Sequence, residues 1–335
     1  MNLSMGLMHR AMVRKFLGLF LPLLWPHFSM GFGTSFVDVE NFAKQYHLEM
    51  VQHADTDEIH LKNDKHVLCF SAKTKEAFVD NTKIFLTYPI GVSVPVNRKH
   101  KVAPELLRKH YTIPQVDVEK VLLPILFPSK ILLKPIKTIV IDPGHGGKAE
   151  GTQNKRLEIK EKDLTLKTAK LLAEKLRRLG YTVYLTRNQD VDLTLEQRSK
   201  FANEKKADLF LSLHYNSAAA VQAEGIETFA YSFHGYPSTD GNRKNDKAVS
   251  VHKFDGANTY LAWLVQRKLC SELPANDRGV RRGRMAVLAD LNCPGILIEC
   301  GFLSHKTEAP KLKTVAYQRS LVNAIANAIQ CFKNN

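Results

Sequence analysis

The hydrophobic rhythm of the chain changes along its 335 residues. Between residues 36 and 95, short alternating runs such as Glu58-Ile59-His60-Leu61 and Lys83-Ile84-Phe85-Leu86 are broken by polar turns such as Lys62-Asn63-Asp64-Lys65. This pattern predicts a small antiparallel β-rich module, since period-two alternation puts one face of each strand on a core. Within it, the stretch from Phe36 to Tyr46 reads as an extended entry followed by a short helix. From residue 137 the pattern becomes short apolar runs alternating with longer amphipathic segments. Strands are expected at 138–141, 181–185, 209–213, 226–231, 285–288 and 296–298, and helices at 161–179, 195–205, 259–273 and 317–332. The first helix carries Leu164, Leu172, Leu176 and Leu179 on one face and stops at Gly180.

Strands alternating with helices predict an α/β fold, a mostly parallel twisted sheet flanked by helices, here preceded by a small β-rich N-terminal domain. Five prolines, Pro104, Pro114, Pro124, Pro128 and Pro135, mark 96–136 as a connector, so the expected division is 1–35, 36–95, 96–136 and 137–335. Residues 1–35 have the layout of an export signal: Arg10, Arg14 and Lys15, then the apolar run from Phe16 to Trp25, then small residues. That run is well short of the roughly 20 residues that span a bilayer, so a cleaved signal is favoured over a stable membrane span, with an uncleaved anchor as the alternative. The expected location is the periplasm or cell envelope.

Charge adds a further constraint. Forty-eight Lys and Arg against 33 Asp and Glu give a formal net charge of +15, which favours polyanionic partners. Nucleic acid is not expected, because no Cys/His finger spacing, aromatic RNA-binding signature or basic-zipper pattern occurs. The five cysteines, Cys69, Cys270, Cys293, Cys300 and Cys331, include no C-x-x-C pair and read mainly as small buried hydrophobes.

Chemically capable residues fall where an open α/β sheet places its site, beyond the carboxyl ends of the strands. His145 follows the first strand of the second region, His214 follows the run Leu209–Leu213, and Glu299 follows Ile296-Leu297-Ile298. Glu161 opens the first helix, three positions before Leu164. Taken singly, a histidine in a glycine-rich turn or a carboxylate at a helix start is unremarkable. Glu299 is different, because an ionised carboxylate in an apolar run costs several kcal/mol unless it meets a cation or keeps its proton. Together they supply what zinc hydrolysis needs. Two imidazoles and a carboxylate, His145, His214 and Glu161, suit a Zn²⁺ site that keeps one position open for water, and Glu299 suits the general base. Glu158 is the alternative third ligand.

At these residues the chain resembles the zinc-dependent N-acetylmuramoyl-L-alanine amidases. The resemblance rests on Ile141-Asp142-Pro143-Gly144-His145-Gly146-Gly147, Glu161-Lys162-Asp163-Leu164, Ser212-Leu213-His214-Tyr215-Asn216-Ser217, Arg278-Gly279-Val280 and Ile298-Glu299-Cys300-Gly301-Phe302-Leu303-Ser304. It implies zinc on His145, Glu161 and His214, catalysis by Glu299, and peptidoglycan as substrate, cut between the lactyl group and L-alanine. After His145 the chain departs from the family, with Lys148-Ala149-Glu150-Gly151-Thr152 in place of an acidic residue and Pro-Gly. Some members carry a helical plug between the second His and the last Glu. Here that interval holds the polar run Ser238–Lys247, so activity without an activator protein is expected. The N-terminal module more weakly resembles β modules that precede some wall amidases, which implies wall binding, with a structural cap as the alternative. A non-catalytic wall-binding protein and another exported zinc peptidase are the rival functions. The first lacks support because no ligand is missing, and the second because no H-E-x-x-H occurs.

Overall fold

The computed structural model describes residues 34–52, 56–93, 109–131, 135–220 and 222–333. The N-terminal part supplies β1 (Phe36–Asp38), α1 (Val39–Gln45), β2 (Glu49–Gln52), β3 (Glu58–Lys62), β4 (Val67–Ser71), β5 (Glu76–Val79), β6 (Thr82–Phe85), β7 (Gly91–Ser93) and β8 (His110–Pro114). A helical run follows, made of α2 (Gln115–Asp117), a π-helical turn (Val118–Leu122) and α3 (Leu123–Leu126). Next come β9 (Thr138–Pro143), β10 (Gln153–Asn154), β11 (Ile159–Lys160), α4 (Glu161–Arg178), β12 (Thr182–Leu185), α5 (Leu195–Glu204), β13 (Leu209–Asn216) and β14 (Ile226–Tyr231). The chain ends with α6 (Asp255–Glu272), β15 (Asp277–Gly283), α7 (Ala286–Ala289), β16 (Gly295–Phe302), α8 (Glu308–Leu312) and α9 (Val315–Lys333).

One 11-stranded sheet organises the protein in the order β12-β9-β13-β16-β14-β15-β6-β5-β4-β3-β2. Strands β12, β9, β13 and β16 are parallel, β14 runs against β16, and β15 lies parallel to β14. Alternate residues of the central strands face two apolar layers, as the two-residue period requires. Ile139, Ile141, Leu211 and Ile298 meet the side covered by α4, α6 and α9, while Val140, Phe210 and Leu297 meet α5 and α7. These strands are buried on both faces, which is why they read as continuous apolar runs. One expectation fails locally. Residues 286–289 form α7 rather than a strand, and the neighbouring strand is β15, whose Asp-Arg-Gly-Val-Arg-Arg-Gly sequence has no apolar run to announce it. Its buried members include Val280 and Arg282.

The expected connector is also folded where it is described. Its β8 pairs with β1 and β7, and its helical run packs on α6. The β-rich module continues the main sheet through β6, whose Ile84 pairs with Val280 of β15. A buried ion pair fastens the same seam: Arg282, 2% exposed, places Nη2 3.3 Å from Oδ1 of the fully buried Asp117. Asp117 also accepts hydrogen bonds from the Thr87 backbone and hydroxyl at 2.8 Å each. The expected signal segment, residues 1–35, lies outside the described residues except for its last two. Among the described residues no helix is long and apolar enough to cross a membrane.

Removing one partner of a buried pair leaves an uncompensated charge. Asp117→Ala should therefore lower the unfolding free energy by about 3–5 kcal/mol, read by urea denaturation. A loss under about 1 kcal/mol would mean that the seam does not depend on this pair.

Candidate active site

The site is assembled at the carboxyl ends of β9, β13 and β16. Strand β9 ends at Pro143, and the turn that follows is fastened from several directions. The Gly144 backbone N–H donates to the Leu213 carbonyl at 3.0 Å. Two buried arginines collect the carbonyls of the turn: Arg187 donates to Pro143 at 3.0 Å and Gly144 at 2.9 Å, and Arg198 to Pro143 at 2.9 Å and His145 at 2.8 Å. Asp142 balances them, accepting from Arg198 at 2.7 Å, Thr186 at 2.6 Å and Ser212 at 2.9 Å. Held this way, His145 keeps a left-handed backbone with φ 61°, a conformation that non-glycine residues adopt rarely and at a cost of about 1–3 kcal/mol.

Glu161 is the first residue of α4 and is 3% exposed. Its Oε1 lies 3.1 Å from His145 Nε2 and 2.9 Å from His214 Nδ1, and accepts from the Tyr215 backbone N–H at 3.0 Å. Its Oε2 accepts from the Thr152 backbone N–H at 2.8 Å. The three side chains each offer a ligand atom within 4.8 Å of the others, which makes a group able to hold a metal ion. Burial opposes the charge on Glu161, but the hydrogen bonds and positive charge of the two histidines outweigh it and hold the carboxyl well below the usual range. Glu158, the alternative ligand, is exposed on a left-handed turn and lies outside this group.

Space around the cluster is tight. A Cβ on Gly144 would fall 2.3 Å from His214 Cε1, so only glycine lets the turn pass that ring. At Gly151, with φ +69°, a Cβ would lie 2.6 Å from Glu161 Oε2.

Glu299 stands beside the cluster. It is the register partner of His214 across β13 and β16, and of Glu227 across β14, so the three side chains share one face of the sheet. The residue keeps some exposure, but its Oε2 is buried and among the described residues has no hydrogen-bond partner. Burial, and then the nearby charges of Glu161 and Glu227, push its carboxyl far above the ordinary carboxylate range. A carboxyl so placed takes up a proton readily.

Sequence reasoning missed three residues around this centre, Arg187, Arg198 and Glu227, and with the last the contact that Arg278 makes. Glu227 is 5% exposed and lies in β14, where it accepts from Asn216 at 2.6 Å and from Arg278 Nε at 3.3 Å. Charged residues at buried positions of apolar or amphipathic segments, Glu227 in β14 and Arg198 in α5, were the available signal.

Comparison with known proteins gives the family. The family model described as N-acetylmuramoyl-L-alanine amidase matches residues 139–331, more than half of the chain. The chain is 33% identical over 210 residues to the uncharacterized protein YqiI of Bacillus subtilis, covering 62% of this chain and 91% of that one. It is 32% identical over 197 residues to the probable cell wall amidase LytH of Staphylococcus aureus, and spans 58% of that protein's length. Among solved structures, an N-acetylmuramoyl-L-alanine amidase from Clostridium difficile 630 superposes with TM-score 0.52 at 33% identity, over 60% of this chain and 99% of that one. AmiC2 of Nostoc punctiforme gives TM-score 0.50 at 28% identity, over 59% of this chain and 98% of that one. The family model runs from β9 to α9, over the strands and the helix that carry His145, Glu161 and His214, and the protein belongs to the N-acetylmuramoyl-L-alanine amidase family of peptidoglycan hydrolases.

Proposed function

We propose that His145, Glu161 and His214 hold a zinc ion and that Glu299 moves the proton in hydrolysis of the bond between the lactyl group of N-acetylmuramic acid and L-alanine. The carrying observation is the Glu161 carboxylate shared by two ring nitrogens beside a buried carboxyl, Glu299, whose Oε2 has no partner. The donor set fits the metal, because two imidazole nitrogens and one carboxylate oxygen match a catalytic zinc site of three protein ligands. When bound, zinc supplies a Lewis acid and acidifies water to a pKa of about 7.

The chain's own residues do the rest. Thr152 and Tyr215 hold Glu161 through backbone N–H groups, so the carboxylate is aimed before any ligand arrives. Arg187 and Arg198 fix the turn that carries His145. Glu299 Oε2 accepts the proton of the attacking water and returns it to the alanine nitrogen as the amide bond breaks. Its raised proton affinity favours the first half of that exchange.

Three further assignments belong to this reading. The segment from 1 to 35 directs export, and the enzyme works in the cell envelope. No activator is required. In support, residues 232–252 are tied into their own polar loop, with Asn245 and His252 both bonded to the Ser232 carbonyl at 3.0 Å. The described residues between 36 and 131 extend the catalytic sheet as a structural cap, supported by the β6–β15 pairing and the Arg282–Asp117 pair.

Digestion of purified peptidoglycan should release stem peptides with a free L-alanine amino group, detected by mass spectrometry. Chelation should abolish release, and Glu299→Gln should lower kcat at least about 100-fold with zinc still bound. Release that survives chelation would contradict the metal assignment. In Gly144→Ala, the new methyl collides with the His214 ring, and zinc affinity measured by competition with a chromophoric chelator should fall about 10–100-fold. An unchanged affinity would mean that His214 is not a ligand.

A further inference from the structure

Across the sheet from the metal cluster lies a group of charges that hydrolysis itself does not use. The register row His214, Glu299, Glu227 ends against β15, where the β14–β15 register is irregular between Ile226 and Thr228 and Arg278 lies beside Glu227. Glu227 organises this corner. Its Oε1 accepts from Asn216 at 2.6 Å, and its Oε2 lies 3.3 Å from Arg278 Nε and 3.0 Å from Arg281 Nε. Arg281 is committed elsewhere as well: it also pairs with Asp240, and its guanidinium lies over the Phe85 ring at 4.1 Å.

Arg278 is oriented but not saturated. Its guanidinium sits 4.7 Å over the Phe302 ring, at the end of β16, while Nε faces Glu227. Both contacts fix the plane of the group. Among the described residues neither terminal nitrogen has a hydrogen-bond partner, and the side chain is 32% exposed. A guanidinium with one edge anchored and the other free is a preformed fork for a planar anion, since two parallel N–H groups match the two oxygens of a carboxylate.

Position selects the anion. Neighbouring strands are about 4.8 Å apart, so Arg278 starts roughly 10 Å from Glu299, two strands away, and its side chain lies back over β16. A stem residue following L-alanine places its α-carboxyl roughly 7 Å from the scissile nitrogen. We propose that Arg278 is a specificity-determining residue that binds a stem-peptide carboxylate, that of the residue after L-alanine, with Glu227 and Phe302 holding its guanidinium in place. This rests on the amidase reading above. It predicts discrimination against stems in which that carboxylate is a carboxamide, because the carboxamide carries no charge and presents N–H groups to a donor-only fork.

The test uses the full mature chain and defined substrates. Muramoyl-L-alanyl-D-isoglutamate, its D-isoglutamine counterpart and muramoyl-L-alanine methylamide are compared for wild type, Arg278→Gln and Arg278→Lys. Longer stems with lysine or diaminopimelate in third place separate the second-residue carboxylate from one farther along. Wild type should prefer isoglutamate over isoglutamine by roughly 10- to 100-fold in kcat/KM, mainly through KM, as for a charge-assisted hydrogen bond. Arg278→Gln should lose that preference, lose far less on the methylamide than on the isoglutamate substrate, and melt within a few degrees of wild type. Arg278→Lys should keep part of it. Weaker binding of the peptide L-alanyl-D-isoglutamate to Arg278→Gln, by calorimetry, is the readout independent of turnover. Equal losses on all substrates, an unchanged preference in Arg278→Gln, or a preference that follows only the third residue would overturn the assignment and leave the amidase intact. Cleavage of none of them by wild type would overturn the activity, and this assignment with it.

Discussion

A single buried carboxylate sets the terms for this protein. Glu161 is nearly sealed from solvent, and an ionised group there is tolerated because two backbone N–H groups donate to it and two histidine rings face it. The backbone donors come from different parts of the chain, Thr152 in the segment after β9 and Tyr215 in β13. The position of one carboxylate thus depends on the docking of α4, on the sheet register and on the path of the glycine turn at once. A one-residue slip in β13 would turn His214 to the opposite face and remove the Tyr215 N–H.

Around that centre the sheet sorts its charges by distance. Asp142 with Arg187 and Arg198 lies beneath the His145 turn and has no open edge, so its work is mechanical. Glu299 stands alongside with an unpartnered oxygen, which a stable core would avoid. Glu227 and its two arginines lie one and two strands farther on, where solvent is reachable. The charges thus run from satisfied ions to an unsatisfied acid to a partly exposed guanidinium, the order that the proposed chemistry calls for.

Much of this was legible in the sequence, for a physical reason. Parallel strands buried on both faces must be apolar, so His214 and Glu299 stood out as polar residues at the ends of such runs. The helix beginning at Glu161 has a regular apolar stripe and a glycine stop, and its observed range, Glu161–Arg178, is close to the expected one. What stayed hidden was tertiary. Strand β15 is rich in arginine and glycine because its charges are met by Glu227, Asp240 and Asp117 from other elements, and no periodicity encodes such partners. The junction of β6 with β15 was equally invisible. It joins segments far apart in the chain through backbone pairing, and so the β-rich region read as a free module although its strands continue the catalytic sheet.

The most direct test of this account is the zinc K-edge absorption spectrum of the zinc-loaded protein. It should show two imidazole nitrogens at about 2.0–2.1 Å and a carboxylate oxygen at about 2.0–2.2 Å, with one imidazole lost in His214→Ala. Sulfur at about 2.3 Å, or a spectrum unchanged by His145→Ala and His214→Ala, would place the metal elsewhere and contradict the account.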